Sequence, residues 1–280
     1  MYQENFMART NMIIKLFLAT LFLIPSLVFA SNDVEQVNSS SNKNLEFISK
    51  INQQYYNLKK LGLKRFKCEV TVNTFDKLKE SLSTQYSADD PRLKVLNSVK
   101  FYLIFDQNGQ FSFESTSYIQ TGNAKFDTPL QQTIENIKGL VLGFCGSWRG
   151  FIIEPIFEKM NLEYVIKNTS NGYDVSYTDD GSDVRISIDS NFRVFQTLVT
   201  IGNSTTKIVS SFTNTNQGLL LEGLNTELNN GVMKCVEAIN YQTVESLQIP
   251  KHVTIQITST MLGTQQNIEL SFLNVKVNKQ

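Results

Sequence analysis

The sequence has very little of the residue types on which catalytic and metal sites are usually built. Among its 280 residues there is one histidine, His252, and there are three cysteines. No CxxC spacing, GxSxG motif or phosphate-cradling glycine loop is present, and a lone histidine cannot be paired with a nucleophile from sequence alone. We therefore predict a protein that is not an enzyme and needs no cofactor or metal. A hydrolase with an unrecognised site is kept as a second alternative function.

Excess charge of one sign is also missing. The chain has 26 basic and 26 acidic residues, and the basic residues form no cluster, which argues against nucleic acid as a partner. Beyond the N-terminal region, the most apolar stretch is 139–157, but Arg149, Glu154 and Pro155 interrupt it, and charges are costly in a bilayer core. We predict no permanent membrane span.

The first thirty residues have the organisation of a secretory signal peptide. Arg9 and Lys15 precede the apolar run 16–24, and Val28-Phe29-Ala30 is a small-x-small cleavage signal. This pattern predicts export to the periplasm with cleavage after Ala30, with secretion or an uncleaved anchor as alternatives. Residues 31–43 are polar and are expected to form a disordered leader.

The three cysteines leave two interpretations open. An oxidising compartment permits one disulfide and one free thiol. Cys68 and Cys235 both fall on predicted strands, so they are the favoured pair, with Cys145 left over. The alternative is three buried, reduced cysteines. The acidic turn at Asp179, Asp180 and Asp183 has oxygen ligands that calcium accepts, but it lacks an EF-hand pattern, and a solvated hairpin tip is the favoured explanation.

Hydrophobic periodicity predicts helices first and a long β region afterwards. A first helix is expected at 44–61 with Gly62 as its cap, a strand at 66–72, and two helical pieces within 74–99, the second capped by Asp90. A hairpin follows at 100–105 and 111–118. The capping box at 128–131 begins a helix that we extend to about residue 158. From residue 162 the alternation and turn residues predict nine further antiparallel strands, which makes about twelve in all.

The predicted helix is amphipathic before Gly139 and almost wholly apolar in the segment 139–157 that follows. It is expected either to be ordinary core or to act as a hinged lid over a hydrophobic cavity, with Gly139, Gly143, Gly146 and Gly150 as flexible points and Arg149 as a latch. The residues predicted for the lid and the cavity walls are Phe101, Leu103, Phe111, Phe113, Val141, Phe144, Trp148, Arg149, Tyr164, Tyr173 and Val175.

Two motifs stand at the ends of the region after residue 43. At the start, Tyr55-Tyr56-x-Leu58 is followed by Phe66-x-Cys68-x-Val70; at the end, Leu247-x-x-Pro250-x-x-Val253-x-Ile255 precedes Ile268-x-Leu270-x-Phe272-x-Asn274-Val275. Both motifs resemble those of the LolA-like family of periplasmic lipoprotein carriers and their relatives.

The resemblance implies an α+β fold in which a curved antiparallel sheet forms an unclosed half-barrel with helices over its concave face, as one domain spanning 44–280. It further implies a hydrophobic ligand, either a lipid or a lipoprotein acyl chain. The alternative is an extracytoplasmic interaction or sensor module with a filled core and an envelope protein as its partner.

Overall fold

The computed structural model describes residues 39–157 and 163–279. Their main element is one twelve-stranded antiparallel sheet in the order β3-β2-β1-β12-β11-β10-β9-β8-β7-β6-β5-β4, which is not closed into a barrel. The predicted α+β fold with an unclosed half-barrel is confirmed. The predicted signal peptide, 1–30, and residues 31–38 of the predicted leader lie outside the described residues.

The strands agree closely with the alternation in the sequence, because each buries one face and leaves the other wet. Tight turns such as Asp180-Gly181, with both residues at positive φ, join neighbours and enforce antiparallel pairing. The strands are β1 (Leu63–Val72), β2 (Phe101–Phe105), β3 (Phe111–Ser115), β4 (Val165–Thr169), β5 (Gly172–Asp179), β6 (Ser182–Asp189), β7 (Val194–Ile201), β8 (Ser204–Thr215), β9 (Gly218–Leu228), β10 (Met233–Val244), β11 (Leu247–Ser259) and β12 (Thr264–Lys279).

The first helix, α1 (Ser39–Gln53), begins and ends earlier than predicted. Its predicted extension to residue 61 is wrong because the chain leaves the helix to pair with β9. The Tyr56 amide donates to the Leu219 carbonyl at 3.0 Å, and the Leu219 amide donates to the Gln54 carbonyl at 2.8 Å. These bonds to the sheet replace the helical bonds that the apolar periodicity predicted. Gly62, at φ 91°, lies in the turn before β1 rather than at a helix end.

The two helical pieces after β1 are confirmed as α2 (Asn73–Ser83) and α3 (Pro91–Ser98). Asp90 caps α3 as expected, since its carboxylate accepts from the Arg92 amide at 2.9 Å.

The long helix α4 (Ala124–Ile152) starts before the capping box that was predicted to open it. Asn123 is the actual N-cap and accepts from the Lys125 amide at 3.1 Å. The Asp127 carboxylate accepts from the Thr121 hydroxyl at 2.9 Å and from the Gly122 amide at 3.0 Å. This local network makes the helix begin before Pro129, so Pro129 lies inside the helix. The predicted end at 158 is also too late.

We call the sheet face that the helices cover the inner face. α4 packs on it near β1, β8, β10 and β12, and α1 packs near β5, as their ring contacts and hydrogen bonds show. In the part of the chain that the structure describes, no helix combines the length and apolarity that crossing a bilayer requires.

The favoured Cys68–Cys235 disulfide is not formed, and all three cysteines are free and buried. The strand order explains this result. Cys68 lies on β1 and Cys235 on β10, three strands apart, which corresponds to about 14 Å across a sheet. A disulfide needs its Cα atoms within about 7 Å.

Candidate functional site

The half of α4 that follows Val141 packs on the inner face through aromatic rings. We call the rings that meet at this contact the aromatic cluster. Trp148 lies 6.2 Å from Phe111 and 6.3 Å from Phe66 between ring centroids, and Phe144 lies 5.8 Å from Phe272. Such edge and offset contacts add to the free energy of burying the rings themselves. The members of the aromatic cluster are Phe66, Phe105, Phe111, Phe144, Trp148 and Phe272.

A polar chain of hydrogen bonds fastens α4 beside this cluster. The Trp148 indole Nε1 donates to the Tyr241 Oη at 3.2 Å, and the Tyr241 hydroxyl donates to the Leu221 carbonyl at 2.6 Å. Burial raises the pKa of Tyr241 well above its ordinary value. The phenol therefore stays neutral and keeps the proton that it donates to β9. One tyrosine thus joins the helix to the sheet.

The C-terminal end of α4 is tied to the segment after α1. The Leu58 amide donates to the Ile152 carbonyl at 2.8 Å, and Asn57 donates through its side-chain amide to the Ile153 carbonyl at 3.2 Å. Arg149 donates to the Glu154 carboxylate, and the side chains of both are largely buried. The predicted latch residue Arg149 is therefore held by its own segment of chain.

The predicted lining residues divide into two groups. Those on β2, β3 and α4 come together around the aromatic cluster, where Phe111 and Trp148 are in contact. Almost all of this group is buried, with Phe111 partly exposed. Its members are Phe101, Leu103, Phe111, Phe113, Val141, Phe144 and Trp148.

The second group lies near the opposite edge of the sheet. Tyr173 contacts Phe47 of α1 at 4.7 Å between ring centroids, and Tyr164 contacts Phe157 at 5.7 Å. Val175, on β5, is fully buried. These residues pack under α1 and the segment that follows α4, so the predicted set does not line one continuous surface.

All four glycines proposed as hinges lie inside the unbroken helix α4. A Cβ atom at Gly146 or Gly150 would meet no heavy atom within 4 Å. These two glycines therefore face open space, and close packing does not require the absence of a side chain there.

Sequence reasoning missed a group of polar side chains at the inner face, which we call the polar patch. It consists of Ser147 on α4, Ser210 on β8, and Cys235 and Glu237 on β10. Glu237 is only 5% exposed. The available signal was the alternation of β10, in which the inward-facing series Met233, Cys235, Glu237, Ile239 places a carboxyl group among apolar side chains.

The burial of Glu237 favours its neutral form. The Ser147 hydroxyl has one proton to share between the Phe144 carbonyl, at 2.9 Å, and Glu237 Oε2, at 3.2 Å. The Cys235 thiol, a weak donor, lies 3.9 Å from Oε1. Burial raises the pKa of Glu237 to about 7, and the hydrogen bonds from Ser147 and Cys235 offset only part of that effect. Near neutral pH this carboxyl group can therefore donate or accept.

Ser210 is aligned with Glu237 across the sheet. Both residues are register partners of Leu224 on β9, the strand between them, so all three side chains share the inner face. Ser210 is 7% exposed, and its hydroxyl has no hydrogen-bond partner. Buried hydroxyl groups are normally satisfied, which makes this one unusual.

The other chemical candidates do not assemble into a site. Across residues 39–157 and 163–279, no group of three or more His, Cys, Asp or Glu side chains is placed to hold a metal ion. In the acidic turn, Asp183 accepts from the Thr178 hydroxyl at 2.9 Å, while Asp179 is buried and Asp180 is exposed. His252 Nδ1 lies 3.2 Å from the Ser271 hydroxyl on the neighbouring strand.

Comparison with known proteins identifies no relative, since neither a protein-family model nor a curated protein sequence matches the chain.

Proposed function

We propose that this protein binds an apolar chain of a lipid or lipoprotein between α4 and the inner face of the sheet, as a LolA-like carrier would. The observation that carries the proposal is the nature of the α4–sheet contact. One helix covers a broad apolar surface on an unclosed sheet, and moving that helix would expose this surface without unpairing a strand.

The contact has the chemistry that an acyl chain requires. Apart from Phe111, which is partly exposed, the rings of the aromatic cluster and side chains such as Val141 and Leu270 are almost completely buried. Burying a methylene group is worth about 0.8 kcal/mol. A chain that replaces the helix on this surface therefore recovers much of the free energy lost when the helix moves.

The Trp148–Tyr241 bond supplies a defined latch for the closed position. Replacing Tyr241 with Phe removes the acceptor for Trp148 and the donor to Leu221 while it keeps the ring. We expect the closed state to be weakened and a fluorescent fatty acid to bind about five- to tenfold more tightly, corresponding to roughly 1 kcal/mol.

The matched control is Tyr102→Phe, because Tyr102 lies on the sheet face opposite the inner face, where its register partners are Glu69 and Glu114. It should leave affinity unchanged. Native mass spectrometry and lipid extraction of the purified protein complete the test. Absence of co-purifying lipid, together with no probe binding by the wild type or Tyr241→Phe, would overturn the carrier proposal.

The second candidate function is an interaction or sensor module with a filled core. The predicted lining residues contact one another, and this favours a filled core. The Trp148 ring contacts the rings of Phe111 and Phe144, so these side chains already cover part of one another's apolar surface. Under this alternative, neither lipid nor probe binds, and an envelope protein is recovered by pull-down with the wild-type chain.

The proposed compartment is the periplasm, on the basis of the residues up to Ala30. N-terminal sequencing of the purified protein tests it. A mature chain beginning at Ser31 supports export, whereas a retained N-terminus after expression in an exporting host contradicts cleavage.

A further inference from the structure

We propose that the polar patch binds the polar end of the ligand, and that this end carries a hydrogen-bond donor with positive charge, as in an alkylammonium group. The inference rests on the proposed carrier function, because the patch becomes accessible only when α4 moves. It adds the chemical class of the ligand's head group and the residues that recognise it.

Glu237 is buried among uncharged side chains. It sits on the inner face beneath α4, where the facing groups are Ser147 and Cys145 from the helix, Leu224 from β9, Ile255 from β11 and Cys235 from its own strand. None of these side chains carries a positive charge. A buried carboxylate is costly without a cation, so a ligand that brings one is strongly favoured at this point.

Ser210 supports the proposal independently of Glu237. Ser210 presents a buried hydroxyl without a partner on the same row of the sheet. Two strand spacings separate it from Glu237, about 10 Å, with Leu224 between them. A head group with more than one polar atom can contact both side chains while its chain lies along the apolar surface.

Two further polar side chains without partners lie elsewhere on the inner face. Thr264 and Gln266 on β12 also hold buried side-chain oxygens without hydrogen-bond partners. By strand alternation they face the same way as Ile268 and Leu270. The unsatisfied polar atoms identified in the described chain therefore all lie on the inner face, toward one end of it, while the aromatic cluster occupies another part.

Burial raises the pKa of Glu237 to about 7, which makes pH part of the test. Above this value the carboxylate is ionised and can pair with an ammonium group. Below it the carboxyl group is neutral and the attraction weakens. Alkylammonium groups remain protonated across this range, since amines of this kind titrate near pH 10.

The experiment compares two ten-carbon probes, decylammonium and decanoate, by titration calorimetry with the purified full-length protein. At about pH 8 we expect decylammonium to bind at least tenfold more tightly than decanoate. Glu237→Gln should bring the two affinities within about twofold of each other. Ser210→Ala should change decylammonium affinity by less than about twofold, because the single polar atom of this probe cannot span the distance from Glu237 to Ser210. Glu269→Gln, which changes an exposed carboxylate, is the matched control and should preserve the preference.

The wild-type protein alone provides a second readout in case Glu237→Gln fails to fold. Decylammonium affinity should fall about tenfold between about pH 8 and about pH 5.5. Equal binding of both probes, unaffected by pH and by Glu237→Gln, would overturn this inference and leave the carrier proposal intact. Failure of both probes to bind would overturn the carrier proposal itself.

Discussion

The aromatic cluster and the polar patch lie at the same inner face, but their side chains are buried in opposite ways. In the aromatic cluster, every ring meets another ring, and the one polar group involved, the Trp148 indole, has the Tyr241 hydroxyl as its acceptor. In the polar patch, Glu237 shares one serine proton with a backbone carbonyl, and Ser210 has no partner. The aromatic cluster therefore stabilises the closed position of α4. The polar patch lowers the stability of the fold and keeps polar atoms that a ligand can bind.

The largest effect is expected from breaking the aromatic cluster. Trp148→Ala should lower the free energy of unfolding by about 3–5 kcal/mol, because it leaves a large cavity and leaves Tyr241 without its donor. Denaturant unfolding measures this change. Phe195→Ala is the control, since that ring is 45% exposed, and it should cost less than about 1 kcal/mol. Similar losses for the two variants would show that α4 is not tightly packed.

The next effect is a pH dependence that arises in the polar patch. The folded-state pKa of Glu237, about 7, lies above the ordinary value of 4.5, so the folded protein binds the proton more tightly than the unfolded chain does. Its contribution to stability is fully present below about pH 4.5 and is lost as pH rises through about 7. We expect a decrease of about 3 kcal/mol across this window.

Unfolding measured over this pH range in wild type and Glu237→Gln isolates the contribution of Glu237. All other ionisable groups are the same in the two proteins, so their contributions cancel in the difference. A difference that is flat between about pH 4.5 and about pH 7 would mean that Glu237 is not buried in its neutral form.

A smaller effect of opposite sign is expected at Ser210. Replacing it with Ala removes a buried hydroxyl group without a partner, so the free energy of unfolding should rise by about 1 kcal/mol. Ser211→Ala, on the exposed side of the same strand, should change stability by less than about 0.5 kcal/mol. A loss of stability in Ser210→Ala would show that this hydroxyl group is satisfied in solution.

The smallest effect concerns the glycines of α4. Gly146→Ala and Gly150→Ala should each raise stability by about 0.5–1 kcal/mol, because alanine favours the helix and open space surrounds both positions. Thermal unfolding measures the gain. If bending at these points opens the lid, the same variants should bind a fatty-acid probe more slowly in stopped-flow measurements, and unchanged rates would place the hinge elsewhere.

The strands could be predicted well because period-two alternation and turn residues are local signals. The errors occurred where distant contacts compete with local ones. The apolar periodicity of the first helix continued through Leu58, but backbone bonds to Leu219 end the helix at Gln53. In α4 the capping box at residue 128 was a reasonable start, yet Asn123 and Asp127 placed it earlier.

The candidate site was predictable only in part. The almost wholly apolar segment of α4 identified the helix that covers the sheet, and Phe144 and Trp148 lie where this helix packs on the inner face. Ser147 and Glu237, in contrast, are 90 residues apart in the chain. Nothing in the sequence around either residue indicates that they meet, so the polar patch could not be anticipated as a site.

The sequence by itself determined the antiparallel strands, their inner and outer faces and the presence of a long apolar helix, because side-chain alternation and turn chemistry act between near neighbours. Only the tertiary structure decided which strands separate Cys68 from Cys235, which side chains fill the face under α4, and that a carboxyl group lies there without a cation. Those outcomes depend on strand order and helix placement, in which residues far apart in the chain are brought into contact.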